Sequence, residues 1–349
     1  MPSEKIIQLL LDLLRFDETP VRPADLESLS QTDWQALYDL ALRQQVITML
    51  YHRLKTHHLL DAAPEAIQQS LLNMYRQNAV RNMKIYHEFR QIAEAFQAAS
   101  IPVIVLKGAY LAEAVYQNIA LRQMGDMDLL VPKEDLASAS EIVIEMGYQP
   151  AHEYSLDWEP TFKHLPRFIN PNLGSVELHW NITPLNQSYS IDPAELWEDS
   201  QEVDIANQPV RCLSPEDIVL YLCEHNAYEH HLDFSLRPYV DIGTAINFYG
   251  VNLDWDEVVA RAARRGWQRG VYLSLRLASE LIGAQAPVTV FETLIPSDLD
   301  TLIVQETRQQ LFSDIHLTNI QKPIARTANQ GFFGILRIFM QRVFIPKSE

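Results

Sequence analysis

Residues Ile101–Val131 read IPVIVLKGAYLAEAVYQNIALRQMGDMDLLV. Ile101 to Leu106 is a short apolar run rich in β-branched residues, bounded by Ser100 and Gly108, which predicts a central strand with Lys107 and Gly108 at its exit. Ala109 to Tyr116 follows as a helix. Gly108 leaves the N-terminus of that helix open, so its free amides and its dipole favour an anion there. Asp126 and Asp128 then open a second apolar run. Strand side chains alternate faces, so residues i and i+2 point the same way and the two carboxylates share one face.

Like charges at close range raise each other's proton affinity unless a cation lies between them. Oxygen ligands of this hardness suit magnesium, with manganese as the second choice, and magnesium commonly bridges carboxylates to substrate phosphates. Asp-x-Asp pairs are also frequent in turns and at strand starts, where they bond backbone and stay solvated, so the pair alone does not decide. Order along the chain narrows the field. Phosphatases of the haloacid dehalogenase type and many glycosyltransferases carry such a pair just after an apolar strand. Here LRQMG (Leu121–Gly125) precedes it and the apolar Leu129–Val131 follows, which argues against both.

An apolar strand ending in glycine, a helix, and Asp-x-Asp inside the next strand resemble the nucleotidyltransferase superfamily, whose fold is similar to the palm of polymerase beta. More narrowly, LKG, Arg122 four residues before Asp126, DMDLLV and the later VELHW resemble the family described as uncharacterised nucleotidyltransferases. The superfamily usually has Gly-Gly or Gly-Ser where this chain has Lys107 and Gly108, and the stretch from Gly108 to Asp126 is longer than in compact members. The resemblance implies an α+β fold with a mixed sheet, flanked by N- and C-terminal helical regions. It also makes Lys107, Gly108 and Arg122 candidates for the triphosphate. An ion pair from Arg122 to Asp126 or Asp128 is an equal alternative, because an arginine fork suits carboxylate and phosphate alike.

The third carboxylate comes from a hairpin. Arg167–Ile169 and Ser175–Trp180 flank the turn sequence Asn170-Pro-Asn-Leu-Gly174. On the second strand Val176, Leu178 and Trp180 point one way and Glu177 and His179 the other. The resemblance implies that Glu177 completes the metal site with Asp126 and Asp128 and helps an acceptor hydroxyl lose its proton. His179 shares that face and is a candidate substrate contact. Without the earlier motif, both would read as an exposed polar face opposite a buried one. His164, on the approach to the hairpin, could line the same cleft, although a lone histidine reads more readily as structural.

The chain has 349 residues, a hydrophobic fraction of 47% and a formal charge of -17 from 28 basic and 45 acidic residues. That length suits two or three domains: an N-terminal helical region (1–74), a palm domain (75–205) and a C-terminal helical domain (206–349). The acidity disfavours nucleic acid as substrate. Cys212 and Cys223 form neither a disulfide framework nor a metal cluster. The first residues, MPSEKIIQLLLDLLRFDE, carry acids inside the apolar run and do not read as a signal peptide, so a cytoplasmic protein is expected.

Elsewhere helical spacing dominates. Glu4–Phe16, a helix from about Thr32, and a long helix from Pro64 to about Ala99 lead into the first strand. Asn78, Arg81 and Asn82 are expected on a solvated face of the long helix. Lys133–Met146 is another helix, stopped by Gly147. Ser214-Pro-Glu-Asp217 is a capping box. In HNAYEHH (225–231), His225 and His230 stand five apart and are expected on different helix faces, as packing histidines rather than zinc ligands. Arg237 and Asp241 stand at i and i+4, which suits a helix pair or a role facing the site. From Gln321 to Glu349, basic residues alternate with Phe332, Phe333, Leu336, Phe339 and Phe344. Such a segment packs on its own domain or docks on a protein partner or an anionic membrane surface.

Together these readings predict a metal-dependent transfer of a nucleoside monophosphate from an NTP to a hydroxyl acceptor (a small molecule, a sugar or a protein) with release of pyrophosphate. A noncatalytic binding protein on the same fold is the rival, and a kinase-like phosphotransferase a third option.

Overall fold

The structure is a computed structural model that describes residues 2–17, 21–153, 162–184, 190–230, 232, 235–297 and 302–313. The amphipathic segment from Gln321 to Glu349 lies outside the described residues.

Seven strands form one mixed sheet: β1 (Ile104–Val105), β2 (Met127–Leu130), β3 (Gln149–Pro150), β4 (Phe168–Asn170), β5 (Gly174–His179), β6 (Gln201–Ile205) and β7 (Gln208–Cys212), in the order β3-β4-β5-β2-β1-β7-β6. The architecture is α+β, as expected. β1 pairs antiparallel with β2 and parallel with β7, and β2 pairs parallel with β5. Parallel strands are usually buried on both faces, and the apolar residues of β1 and β2 are buried here.

The first strand is shorter than its apolar run predicts. Only Ile104 and Val105 form the regular ladder, although the amide of Arg211 donates to the carbonyl of Val103 and that of Leu106 to the carbonyl of Asp128, both at 3.0 Å. Lys107 then takes φ +26°, a conformation L-residues rarely adopt, and the chain turns into the helix Lys107–Tyr110. That helix continues as a π turn over Leu111–Val115. The expected hairpin is β4–β5, and the expected long helix runs Glu65–Ala98.

Helices cover the sheet and extend beyond it. The long helix packs on β7 and on the helix Leu136–Glu145, using Phe89, Ile92 and Phe96 in the core. C-terminal helices Pro215–Glu224, Arg237–Tyr249 and Gln268–Ile282 pack on one another. Ser214 caps the first of them, its Oγ accepting from the amide of Asp217. A boundary at 74/75 falls inside the long helix, and one at 205/206 falls in the turn between β6 and β7, whose second strand pairs with β1. Among the described residues no helix is long and apolar enough to cross a membrane.

One face of the long helix differs from expectation. Arg81 is exposed, but Asn78 and Asn82 are buried. Asn78 Nδ2 donates to the carbonyls of Ala120 (2.8 Å) and Arg122 (3.1 Å), and Asn82 Nδ2 donates to those of Arg122 (2.8 Å) and Ile119. Two amides one turn apart thus pin the loop that leads into Asp126. Buried polar groups without partners are costly, so Asn82→Ala should lower stability by about 1–3 kcal/mol in denaturant unfolding. Arg81→Ala should stay within about 0.5 kcal/mol of wild type.

Candidate active site

β2 and β5 run parallel with Asp128 opposite Glu177 and Met127 opposite Val176. Paired residues on neighbouring strands share a face, so Asp128 and Glu177 stand together, with His179 two residues on from Glu177. Val176 and Leu178 are buried. Asp126, just before β2, opens on the same cleft, whose volume is about 320 Å3.

His179 Nε2 lies 3.2 Å from Asp128 Oδ1 and 3.5 Å from Glu177 Oε2. Asp128, Glu177 and His179 offer ligand atoms that all lie within 4.8 Å of one another. Lys107 Nζ is 4.0 Å from Asp128 Oδ2 and sits over the Tyr221 ring, 5.4 Å from its centre. Arg167 spans two acids: Nη2 donates to Asp126 Oδ2 (2.9 Å) and to Glu177 Oε1 (2.8 Å), and Nε donates to Glu177 Oε1 (3.0 Å). Gly108 is buried where space is tight, since a Cβ there would meet Arg122 Nη1 at 3.3 Å and the carbonyl of Asp126 at 3.6 Å.

These contacts set the charge states. Burial works to raise the pKa of Asp128, but the Lys107 ammonium and the His179 hydrogen bond outweigh it and hold the carboxyl well below its ordinary range. Burial likewise opposes ionisation of Glu177, yet hydrogen bonds from His179 and Arg167 bring it down to about 2. Asp126 goes the other way: burial and the charges of Asp128 and Glu177 raise it in spite of Arg167. Burial would lower Lys107, but Asp128 and Tyr221 carry it above the ordinary lysine value. Of the three acids, Asp126 is thus the one whose burial and neighbouring carboxylates are not fully offset.

Of the two readings of Arg122, the ion pair with the motif is not formed. Arg122 pairs with neither aspartate of the motif: Nε and Nη2 donate to the two oxygens of Asp241, each at 2.9 Å, and the hydroxyl of Tyr116 donates to Asp241 at 2.7 Å. Asn78 and Asn82 fix the backbone of Arg122, while the helix Arg237–Tyr249 packs on the π turn Leu111–Val115 and brings Asp241 to meet it. Asp241 thus bonds to Arg122 and Tyr116 rather than serving simply as the i+4 partner of Arg237. Arg122 still lines the cleft, with Nη1 beside Gly108.

The far wall holds residues that sequence reasoning passed over. His225 and His230 were expected on different faces, but His225–Glu229 is a π turn in which the amide of His230 donates to the carbonyl of His225 (3.1 Å). An i→i+5 turn stacks residues five apart, and the two imidazoles meet edge to face with centres 4.4 Å apart. His225 Nδ1 is 3.0 Å from Glu229 Oε2, and Glu229 also pairs with the buried Lys163. Burial holds His225 well below the usual histidine range and brings Lys163 down to about 8. His164 lines the same cleft and bridges to His179, their ring centres 4.9 Å apart. Arg167, Lys163 and His164 lie on the approach to β4, outside any recognised motif. Only the HNAYEHH cluster offered a signal, and a π turn is not legible in residue spacing.

The profile of a family described as uncharacterised nucleotidyltransferase matches residues 30–283. The chain belongs to this family. It is thus a nucleotidyltransferase by family, and the match includes every residue of the cleft named above. No match was found among curated proteins. Among solved structures, the chain is similar to a solution structure of the antibiotic-resistance factor ANT(2'')-Ia (20% identity, TM-score 0.39, covering 52% of this chain and 91% of that one). It is also similar to a crystal structure of ANT(2'')-Ia in complex with adenylyl-2''-tobramycin (18%, TM-score 0.38, 52% and 96%). A third is an antigenic nucleotidyltransferase-like protein from Paracoccidioides brasiliensis (14%, TM-score 0.34, 61% and 96%).

Removing one partner of a buried ion pair leaves the other charge stranded. Asp241→Ala should destabilise the protein by about 3–5 kcal/mol in denaturant unfolding, and a double variant, Arg122→Met with Asp241→Leu, should recover most of that loss.

Proposed function

We propose that this nucleotidyltransferase uses Asp126, Asp128 and Glu177 to hold divalent metal and transfers a nucleoside monophosphate from an NTP to a hydroxyl acceptor. The observation that carries the proposal is the pairing of Asp128 with Glu177 across β2 and β5, in a cleft that Asp126 and Lys107 also line. The donor set fits a hard cation: carboxylate oxygens predominate, and Asp126 has a raised proton affinity that a nearby positive charge would relieve. Magnesium, or manganese in its place, would neutralise charge on the attacking and leaving oxygens.

The chain's own groups supply the rest. Lys107 and the tight approach permitted by Gly108 suit the triphosphate, and Lys107 stays charged because the Asp128 carboxylate stabilises its ammonium. Arg122, fixed by Asp241, presents Nη1 beside Gly108 and would steady the same phosphates. Glu177 would take part in removing the proton of the acceptor hydroxyl. That oxygen then bonds to the α-phosphorus as the bond to the β-phosphate oxygen breaks, and pyrophosphate leaves. His179, hydrogen-bonding distance from Asp128, would orient that carboxylate and stand near the acceptor. The wall carrying Lys163, His164, His225 and Glu229 would shape the acceptor pocket.

The strained backbone at Lys107 fits this assignment. A non-glycine residue at positive φ costs about 1–3 kcal/mol, and such strain concentrates at ligand sites.

Calorimetric titration of ATP, GTP, CTP and UTP with magnesium, on wild type and on Asp126→Ala with Asp128→Ala, tests the reading. One nucleotide should bind in a metal-dependent way to wild type alone. Once an acceptor is known, Asp128→Asn should lower turnover at least about 100-fold with the fold intact, and full turnover by that variant would refute the assignment.

A further inference from the structure

We propose that Arg167 is the resident counter-ion of the acidic site and competes with divalent metal for Asp126 and Glu177. The inference rests on the metal site proposed above and extends it to a residue outside the motif.

The guanidinium occupies one oxygen of each of two carboxylates that a metal would use. Its Nη2 bonds Asp126 Oδ2 at 2.9 Å and Glu177 Oε1 at 2.8 Å, and Nε adds a second bond to Glu177 at 3.0 Å. A hard cation binds through the same lone pairs that these N–H groups use. Metal and guanidinium therefore compete for Asp126 Oδ2 and Glu177 Oε1.

Two cations face the three carboxylates, and they differ in how readily they can leave. Lys107 has a side chain only 14% exposed, stacks on Tyr221 and pairs with Asp128 from a constrained turn. Arg167 has a side chain 49% exposed and approaches from the edge, just before β4. A long side chain already half in solvent can swing away without opening the core. Arg167 is therefore the displaceable charge and Lys107 the fixed one.

Charge balance favours the exchange. Among the groups in direct ion pairs, Asp126, Asp128 and Glu177 against Lys107 and Arg167 leave one net negative charge, and a divalent ion in place of the guanidinium leaves none. Arginine is also suited to the role in a way lysine is not. Its planar fork reaches two carboxylates from fixed directions, whereas an ammonium is a single point charge. Until metal arrives, Arg167 offsets part of the repulsion between Asp126 and Glu177.

The test is manganese binding to the full chain without nucleotide, measured by electron paramagnetic resonance of free Mn2+ and by the Mn2+-induced rise in Tm. Wild type, Arg167→Gln and Arg167→Lys are compared. Arg167→Gln should bind Mn2+ about fivefold more tightly than wild type, the scale of a half-exposed ion pair, with Arg167→Lys in between. Its Mn2+-induced rise in Tm should be larger in proportion. Equal or weaker Mn2+ binding by Arg167→Gln overturns the competition. Absence of Mn2+ binding in all three proteins overturns the proposed metal site itself, and this inference with it, so the two failures give different results. Circular dichroism confirms that each variant is folded, and Arg167→Lys keeps the comparison decisive should the glutamine variant unfold.

Discussion

The mutual repulsion of Asp126, Asp128 and Glu177 is the constraint on which the rest of the cleft depends. Two like charges about 4 Å apart repel by about 4 kcal/mol at an effective dielectric constant of about 20. The sheet nevertheless forces them together, because the parallel register of β2 and β5 is fixed by the apolar residues alternating with them: Met127 and Leu129 on one strand, Val176 and Leu178 on the other. A slip of one residue would turn the acids away from the cleft and put apolar side chains in their place. The neighbours then become intelligible as compensation. Lys107 is set against Asp128 through a strained turn, His179 reaches both acids, and Arg167 closes the outer side.

The opposite wall has a different origin. Two π turns serve the cleft, Leu111–Val115 behind the turn at Lys107 and His225–Glu229 in the far wall, and each extends a helix by one wide turn. A wide turn admits an additional residue without breaking the helix, and such turns recur at functional sites. The first carries the chain from Gly108 toward Tyr116 and its bond to Asp241. The second gathers two imidazoles and a glutamate that an ordinary helix would spread around its circumference.

Much of this was legible in the sequence where the signal was local. The strand that ends at Lys107 and Gly108, the Asp-x-Asp that opens the next strand, and the hairpin placing Glu177 beside it all follow from apolar periodicity and turn residues, and the family resemblance they carried proved right. The features that escaped depend on contacts distant in sequence or on rarer backbone geometry. Asn78 and Asn82 look like ordinary polar residues of a surface helix until the loop they hold is known. Arg122 has acids four and six residues ahead, yet its partner lies 119 residues away. His225 and His230 are separated by the spacing of an α-helix and joined by that of a π turn.

The bond between Arg122 and Asp241 has a consequence for how the chain could be divided. One partner lies on the approach to the acidic strand and the other on a C-terminal helix, while β7, which precedes that helix in the chain, pairs with β1. The sheet and the helical half therefore share both a strand ladder and a buried charge pair. Cutting between them would break both. Exchange of the C-terminal half between relatives would carry Asp241 with it, so the anchor of Arg122 would be inherited with the helices rather than with the strand that Arg122 leads into.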